Sequence, residues 1–524
     1  MAVANFFDRS LLSASQALRG IAPAAIQQRL ETIVVELAFD DHAAVAAEGR
    51  IALDLAVRLL ARLYPTLRII GPSNPALPLT AELEELAKAI NPEIEISLTG
   101  EADVRLIFGA TTAEAGTQVI YAGSDGWLAK VSKVGPQGCG TTDLPFGAGA
   151  AACLGAANVF RAIFSDWLEA PQLDEAAVLS LLDFSTGASA AQGPGAIEVD
   201  IGATPLVGLG AIGNGVIWAL SRTRGVSGAL HLVDHETVEL SNLQRYVLAT
   251  QEDDQQLKVA VAQQALAAGG FEAEVLPFAC RWDEYLQGQG HPVLGRVVAA
   301  LDSAEDRIAV QASLPRRTLN AWTQAGDLGV SRHGFNDSDA CLTCLYLPTG
   351  TKPNQDVIIA EALKLPTEPQ NLLHPLRELL VNGQPVGDQF VRDAAHRLGL
   401  PEEALLPFAG EPLMQFYVKA VCGGVILDGR LDKPPLEAPL AFQSALAGIM
   451  LAAELIADAG GMRRDAMKTK TILDLKRALP KRLNFRIAKR DATTQSKCIC
   501  QDPDFVSAYV AKHLTAEPRP ADHS

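Results

Sequence analysis

The feature that most constrains this 524-residue chain is a short apolar strand, Pro205 to Val207, that runs into Gly208-x-Gly210-x-x-Gly213 and then a helix through Trp218 and Leu220. Strand, glycine turn and helix in that order form the context of a phosphate-binding loop. Gly208 suits the tight turn, Gly210 close approach of backbone to phosphate, and Gly213 close packing of helix on strand. The phosphates would face a helix N-terminus, where unpaired N–H groups and the dipole favour anions. A glycine turn alone specifies little. Asp234 ends the next strand, LHLVD, at the spacing where a carboxylate meets a ribose hydroxyl. Up to this point a nicotinamide dehydrogenase fits equally well. The run Ser241-Asn242-Leu243-Gln244-Arg245, with Lys258 thirteen residues after Arg245, turns the reading away from it. A dinucleotide pyrophosphate is held mostly by backbone, whereas a triphosphate reacting at its α-phosphorus needs fixed cations. Downstream, VVAALDSAEDR reads as a further strand ending in Asp302, well placed for Mg²⁺.

Together these pieces resemble the ThiF-type adenylyltransferases, a family that includes activating enzymes of ubiquitin-like proteins. The matching residues are GLGAIG, the aspartate of LVDHETVELSNLQR with its Asn242 and Arg245, Lys258, and the aspartate of ALDSAEDR. The resemblance implies a Rossmann-like α/β adenylation domain that binds ATP with Mg²⁺. The ribose would lie on Asp234 and the phosphates near Gly210, Arg245 and Lys258. It implies as substrate a ubiquitin-like β-grasp protein ending in glycine, adenylated at its C-terminal carboxylate, then a thioester on a cysteine and hand-over to a conjugating carrier protein. The alternative is adenylation without a thioester step, serving sulfur transfer or peptide modification. The CLTCLY and CICQDPDF pieces are similar to those of bacterial ubiquitin-like conjugation operons linked to phage defence.

Length and composition narrow the rest. A chain this long holds two to four domains. With 48% apolar and 20% charged residues it is a well-cored globular protein. The net charge of −17 argues against nucleic acid and anionic membranes as partners. MAVANFFDRS has no apolar signal-peptide core. The longest apolar run, Pro145 to Phe160, holds Asn158 and falls short of the roughly 18 residues a membrane span needs. A cytoplasmic protein is expected, with homodimerisation left open.

Residues 1–183 alternate helical patterns (Leu11 to Leu37, Ala44 to Leu63) with strand-like runs LRIIG, EIEISL, DVRLIFGA, TQVIYAG and WLAKV. This half lacks the glycine loop and the cation set. Yet DVRLIFGA parallels RVVAALDS, and FGAGAAACLGAANVFRAIF parallels FQSALAGIMLAAELIA. It reads as a degenerate, inactive copy of the adenylation fold, or else an unrelated α/β domain. Residues 184–204, rich in Gly, Ala and Ser, read as a linker. The ATP-binding part spans 205–348 and a helical insert 349–440. The fold closes and binds metal over 441–514, and 515–524 form a disordered tail.

Cys341, Cys344, Cys498 and Cys500 form a CxxC and a CxC pair, four thiolates that suit structural Zn²⁺. Cys139, Cys153 and Cys280 read as small buried residues. Cys422 lies in the last part of the insert, in YVKAVCGGVIL, where two glycines leave the sulfur approachable. It is the candidate acyl acceptor, against a plain buried cysteine. By resemblance, Arg9 in FFDRSLL is a candidate phosphate contact, against a solvated arginine. His333 has no assigned role.

Overall fold

The computed structural model describes residues 6–18, 21–72, 78–113, 118–324, 326–347, 355–399, 401–417, 439–463, 465–490 and 497–514. The first sheet is built from β1 (Val35–Phe39), β2 (Thr66–Ile70), β3 (Glu95–Ile96), β4 (Val104–Phe108), β5 (Gln118–Asp125), β6 (Leu128–Ser132) and β7 (Ala177–Ser180). The second is built from β8 (Val199–Val207), β9 (Val226–Val233), β10 (Glu274–Phe278), β11 (Arg296–Ala299), β12 (Arg317–Thr323), β13 (Leu328–His333), β14 (Lys470–Leu473) and β15 (Asn484–Phe485). Their orders are β3-β2-β1-β4-β5-β6-β7 and β10-β9-β8-β11-β12-β13-β14-β15. Strand for strand the first order recurs in the second, with β15 added. In both, the first five strands of the order are parallel and the rest antiparallel. The fold is α/β, Rossmann-like, with a degenerate first half.

Each half places one long apolar helix between its sixth and seventh strands: Pro145–Ile163 in the first and Ala441–Ala459 in the second, 19 residues each. Both are long and apolar enough to cross a membrane by length and composition, but the protein itself buries them, the first throughout and the second except at Asp458 and Ala459. The first extends past the Phe160 read from sequence. Its Arg161 and Asn158 are paired internally with Asp174, at 2.5 and 2.9 Å, which lets a polar end lie inside the protein. The two helices pack on each other and join the halves in one core. Small residues let both approach the helix Ala211–Leu220: a Cβ on Gly448 would lie 2.3 Å from the Ile212 carbonyl oxygen, and one on Gly149 2.5 Å from the Trp218 ring.

Three local expectations change. The helical reading of Leu11 to Leu37 splits into helices Phe7–Ala17 and Pro23–Thr32 and the central strand β1. VELAF is buried almost throughout and shows no alternation, as central parallel strands do not. The linker read at 184–204 is shorter, because β8 occupies its last six residues and extends the short Pro205 to Val207 strand backwards. The VVAALDS strand stops at Ala299, three residues before Asp302.

The insert has its own core, with Ile359, Leu376, Val391, Leu398 and Phe416 buried among its helices. Cys422 and the tail 515–524 lie outside the described residues.

Candidate functional site

The parallel strands β8, β9 and β11 end at one rim of the second sheet, where α/β folds bind ligands. A cavity of about 690 Å³ opens there. It brings together Gly208, Gly210, Asp234, Arg245, Lys258 and Asp302, which are spread over 95 positions of sequence.

Each glycine has a distinct physical reason. Gly208 adopts φ +92°, and a Cβ there would meet the Ala300 carbonyl oxygen at 2.6 Å. Gly213 is packed against the turn itself, 2.4 Å from the Gly208 oxygen for an added Cβ. Among the described residues a Cβ on Gly210 would meet only the Tyr246 hydroxyl, and Gly210 precedes the helix Ala211–Leu220, whose first residues Ala211 and Ile212 line the cavity. Asp234 holds this turn: its carboxylate accepts the Leu209 amide at 2.7 Å and the Glu236 amide at 2.9 Å.

The cations come from two further elements. Lys258 opens the helix Lys258–Gly269 and is 6% exposed. Its ammonium pairs with the Glu236 carboxylate and lies 5.3 Å from the Tyr246 ring centre. Burial opposes its charge, but Tyr246, Asp234 and Glu236 more than offset that and raise its pKa. Arg245 sits on the turn after Asn242, its amide donating to the Asn242 carbonyl at 3.0 Å. Burial lowers the Arg245 pKa, the neighbouring Arg9 charge lowers it further, and Tyr246 and Asp302 act the other way. Arg9, on the exposed side of helix Phe7–Ala17, is not among the residues that line the cavity, and its charge reaches Arg245 only through space.

Asn242 is not among the cavity-lining residues. Its side chain accepts the Glu239 amide at 3.1 Å and shapes the turn from behind. Cys280, read as a buried small residue, lines the cavity and is partly exposed. Cys139 and Cys153 are buried as expected. Sequence reading missed Tyr246, Glu236 and Arg307. Arg307 is buried, stacks over the Tyr346 ring at 4.8 Å, and donates to the Leu301 and Ser303 carbonyls, fixing the turn that presents Asp302.

The first half closes the corresponding position. After β1, Asp40 turns its carboxylate onto the Ala43 amide at 2.9 Å, the Ala110 amide at 2.6 Å and the Thr111 hydroxyl at 3.0 Å. Burial works against its charge, yet these donors hold its pKa below the ordinary value. The chain's own carboxylate thus occupies the end of a strand whose counterpart in the second half is open.

A second cluster lies apart. The sulfurs of Cys341, Cys344, Cys498 and Cys500 all lie within 4.8 Å of one another and are buried. Three sulfur pairs stand at 3.8, 3.5 and 3.6 Å. A tetrahedron with Zn–S bonds of about 2.3 Å has edges of about 3.8 Å, so the donor set fits that ion. Arg490 donates to the Cys344 carbonyl at 2.9 Å, placing a cation beside what would be a net negative centre. His333 is buried nearby; its Nδ1 meets the Ala340 carbonyl at 2.7 Å, and burial pushes its pKa down to about 4, so it is neutral.

The profile described as the ThiF family matches residues 203–498, more than half of the chain. One described as Prokaryotic E2 family C matches residues 38–165. The uncharacterized protein y4jF of Sinorhizobium fredii (strain NBRC 101917 / NGR234) is 47% identical over 519 residues, covering 98% of each chain. Among solved structures, E. coli MccB with ATP is similar at 16% identity and TM-score 0.33, over 57% of this chain and 66% of that one. The microcin C7 biosynthetic enzyme MccB in complex with N-formylated MccA is similar at 15% identity and TM-score 0.35, over 57% of this chain and 67% of that one. With its glycine turn, cations and acidic residues converging on one cavity, and with more than half its length matched, the chain belongs to the ThiF family of adenylyltransferases.

Proposed function

We propose that this protein is a cytoplasmic activating enzyme that adenylates the C-terminal glycine of a ubiquitin-like protein with ATP and then holds it as a thioester on Cys422. The observation that carries the reading is the convergence of Gly210, Asp234, Arg245, Lys258 and Asp302 on one cavity. ATP would lie with its ribose toward Asp234 and its phosphates over Gly210 and the helix N-terminus. A carboxylate oxygen of the substrate attacks the α-phosphorus. The bond from that phosphorus to the bridging oxygen breaks, and pyrophosphate leaves with that electron pair. Arg245 and Lys258 offset the charge that moves onto the leaving oxygens. Asp302 is the carboxylate that would hold magnesium, which supplies further charge neutralisation there. Asp234 keeps the turn in place through its two amide bonds. Positioning and fixed charge carry the step, with no protein nucleophile.

In the second step the Cys422 thiolate attacks the acyl carbon, the bond to the phosphate oxygen breaks, and AMP leaves. Pro439, seventeen residues after Cys422, lines the cavity. A conjugating carrier protein then takes the acyl group. The test separates the two steps. Cys422→Ala should keep ATP–pyrophosphate exchange yet eliminate a reductant-sensitive adduct with the ubiquitin-like protein. An adduct that persists there and vanishes in another cysteine variant moves the assignment. An adduct unaffected by any cysteine variant leaves an adenylating enzyme without a thioester step.

A further inference from the structure

The residues Tyr246 to Ala249 follow Arg245 directly, and two arginines of the first half hold all four of their carbonyls. Arg62 lies just beyond helix Ala47–Leu60 and is 1% exposed. Its Nη2 donates to the carbonyls of Tyr246 and Ala249, each at 2.6 Å, and its Nη1 to that of Arg58 at 2.5 Å. Arg58 Nη1 donates to the carbonyls of Val247 at 3.0 Å and Leu248 at 3.2 Å. The four contacts to residues 246–249 cross more than 180 positions of sequence.

The two arginines differ in how their charge is met. Arg58 pairs with Asp54, which also accepts Trp218 Nε1 at 2.9 Å and Arg222 at 2.8 Å. Among the described residues Arg62 forms no salt bridge; its guanidinium donates to carbonyls, and the Asp54 carboxylate acts on its charge only from a distance. Burying an unpaired guanidinium is costly, and packing alone does not require it. The forked geometry serves several carbonyls at once, which the single nitrogen of a lysine does not reproduce.

What the clamp fixes is the cation set. The Tyr246 backbone is held by Arg62 while its ring lies under the Lys258 ammonium and its hydroxyl bounds the space over Gly210. The same turn presents Arg245. The Ser13 hydroxyl, 3.4 Å from Gln244 Oε1, braces it from helix Phe7–Ala17. We propose that Arg62 is a positioning residue of the adenylation site: from the otherwise closed first half it sets the backbone that aims Arg245 and the Tyr246–Lys258 pair. This rests on the adenylation reading of the cavity.

The experiment uses the full chain and the variant Arg62→Lys, with ATP–pyrophosphate exchange and amide hydrogen exchange over residues 242–249 as readouts. Arg62→Lys, which keeps the charge, should lower kcat by about tenfold to a hundredfold, the cost of misplacing a reacting geometry by an ångström or less, while KM for ATP changes far less. Amides of 242–249 should exchange faster, with β8 unchanged. Combined with Arg245→Ala, Arg62→Lys should add little, because both remove the same alignment. A folded Arg62→Lys with parental kcat overturns the proposal, as do fully additive losses. If Arg245→Ala leaves exchange untouched, the adenylation reading falls instead. The amide readout then still decides whether Arg62 sets the turn, and unchanged protection there overturns it.

Discussion

Asp302→Ala should abolish magnesium-dependent ATP–pyrophosphate exchange and leave the fold intact. The two halves of that expectation have separate grounds. Asp302 is exposed on the cavity wall, and among the described residues its carboxylate makes no hydrogen bond, so removing it takes nothing from the core. The turn beneath it is held by Arg307 through backbone carbonyls, which the substitution does not touch. On the proposed reading the carboxylate would also be the oxygen donor that holds a hard cation against the phosphates. Arg245→Ala and Lys258→Ala should each cost about tenfold to a thousandfold, the range for deleting one preorganised charge contact. Lys258→Ala carries an added penalty, since it also strips Glu236 of its partner. Undiminished exchange in a folded Asp302→Ala protein would refute the assignment of that residue.

The second large effect concerns the cysteines. Elemental analysis should find about one zinc per chain, and replacing Cys341 together with Cys498 by serine should remove it and destabilise the protein severely. Structural zinc in small sites contributes about 10–16 kcal/mol of apparent binding energy to folding. Here the four sulfurs join the segment after β13 to the C-terminal region, whose Tyr509 stacks on Phe335 at 5.1 Å. Loss of the metal therefore frees two distant segments at once. Metal-free protein of unchanged stability rules the site out.

The parts of the site that sequence revealed are those written locally. The glycine turn, the carboxylate ending LHLVD, the cation spacing and the paired cysteines each sit within a few residues of their own signal. The parallel between DVRLIFGA and RVVAALDS was legible too, and β4 and β11 hold the same place in their sheets. What stayed hidden depends on contacts across the fold. β1 merged into a helical pattern because a strand buried on both faces has no period of two. Tyr246 and Arg62 carry no motif; their roles appear only when residues 184 positions apart meet. Asn242 shows the reverse. Its place in the matching segment pointed to the nucleotide, yet its side chain serves the turn.

The two long apolar helices that meet at the centre have a consequence for how the enzyme responds to dilution. When two half-sites belong to separate chains, lowering the concentration pulls them apart. Here the half that supplies Arg58 and Arg62 and the half that holds the cavity are joined covalently and share one core. Their effective concentration is set by the fold and not by the solution. Specific activity should therefore stay level across a dilution series.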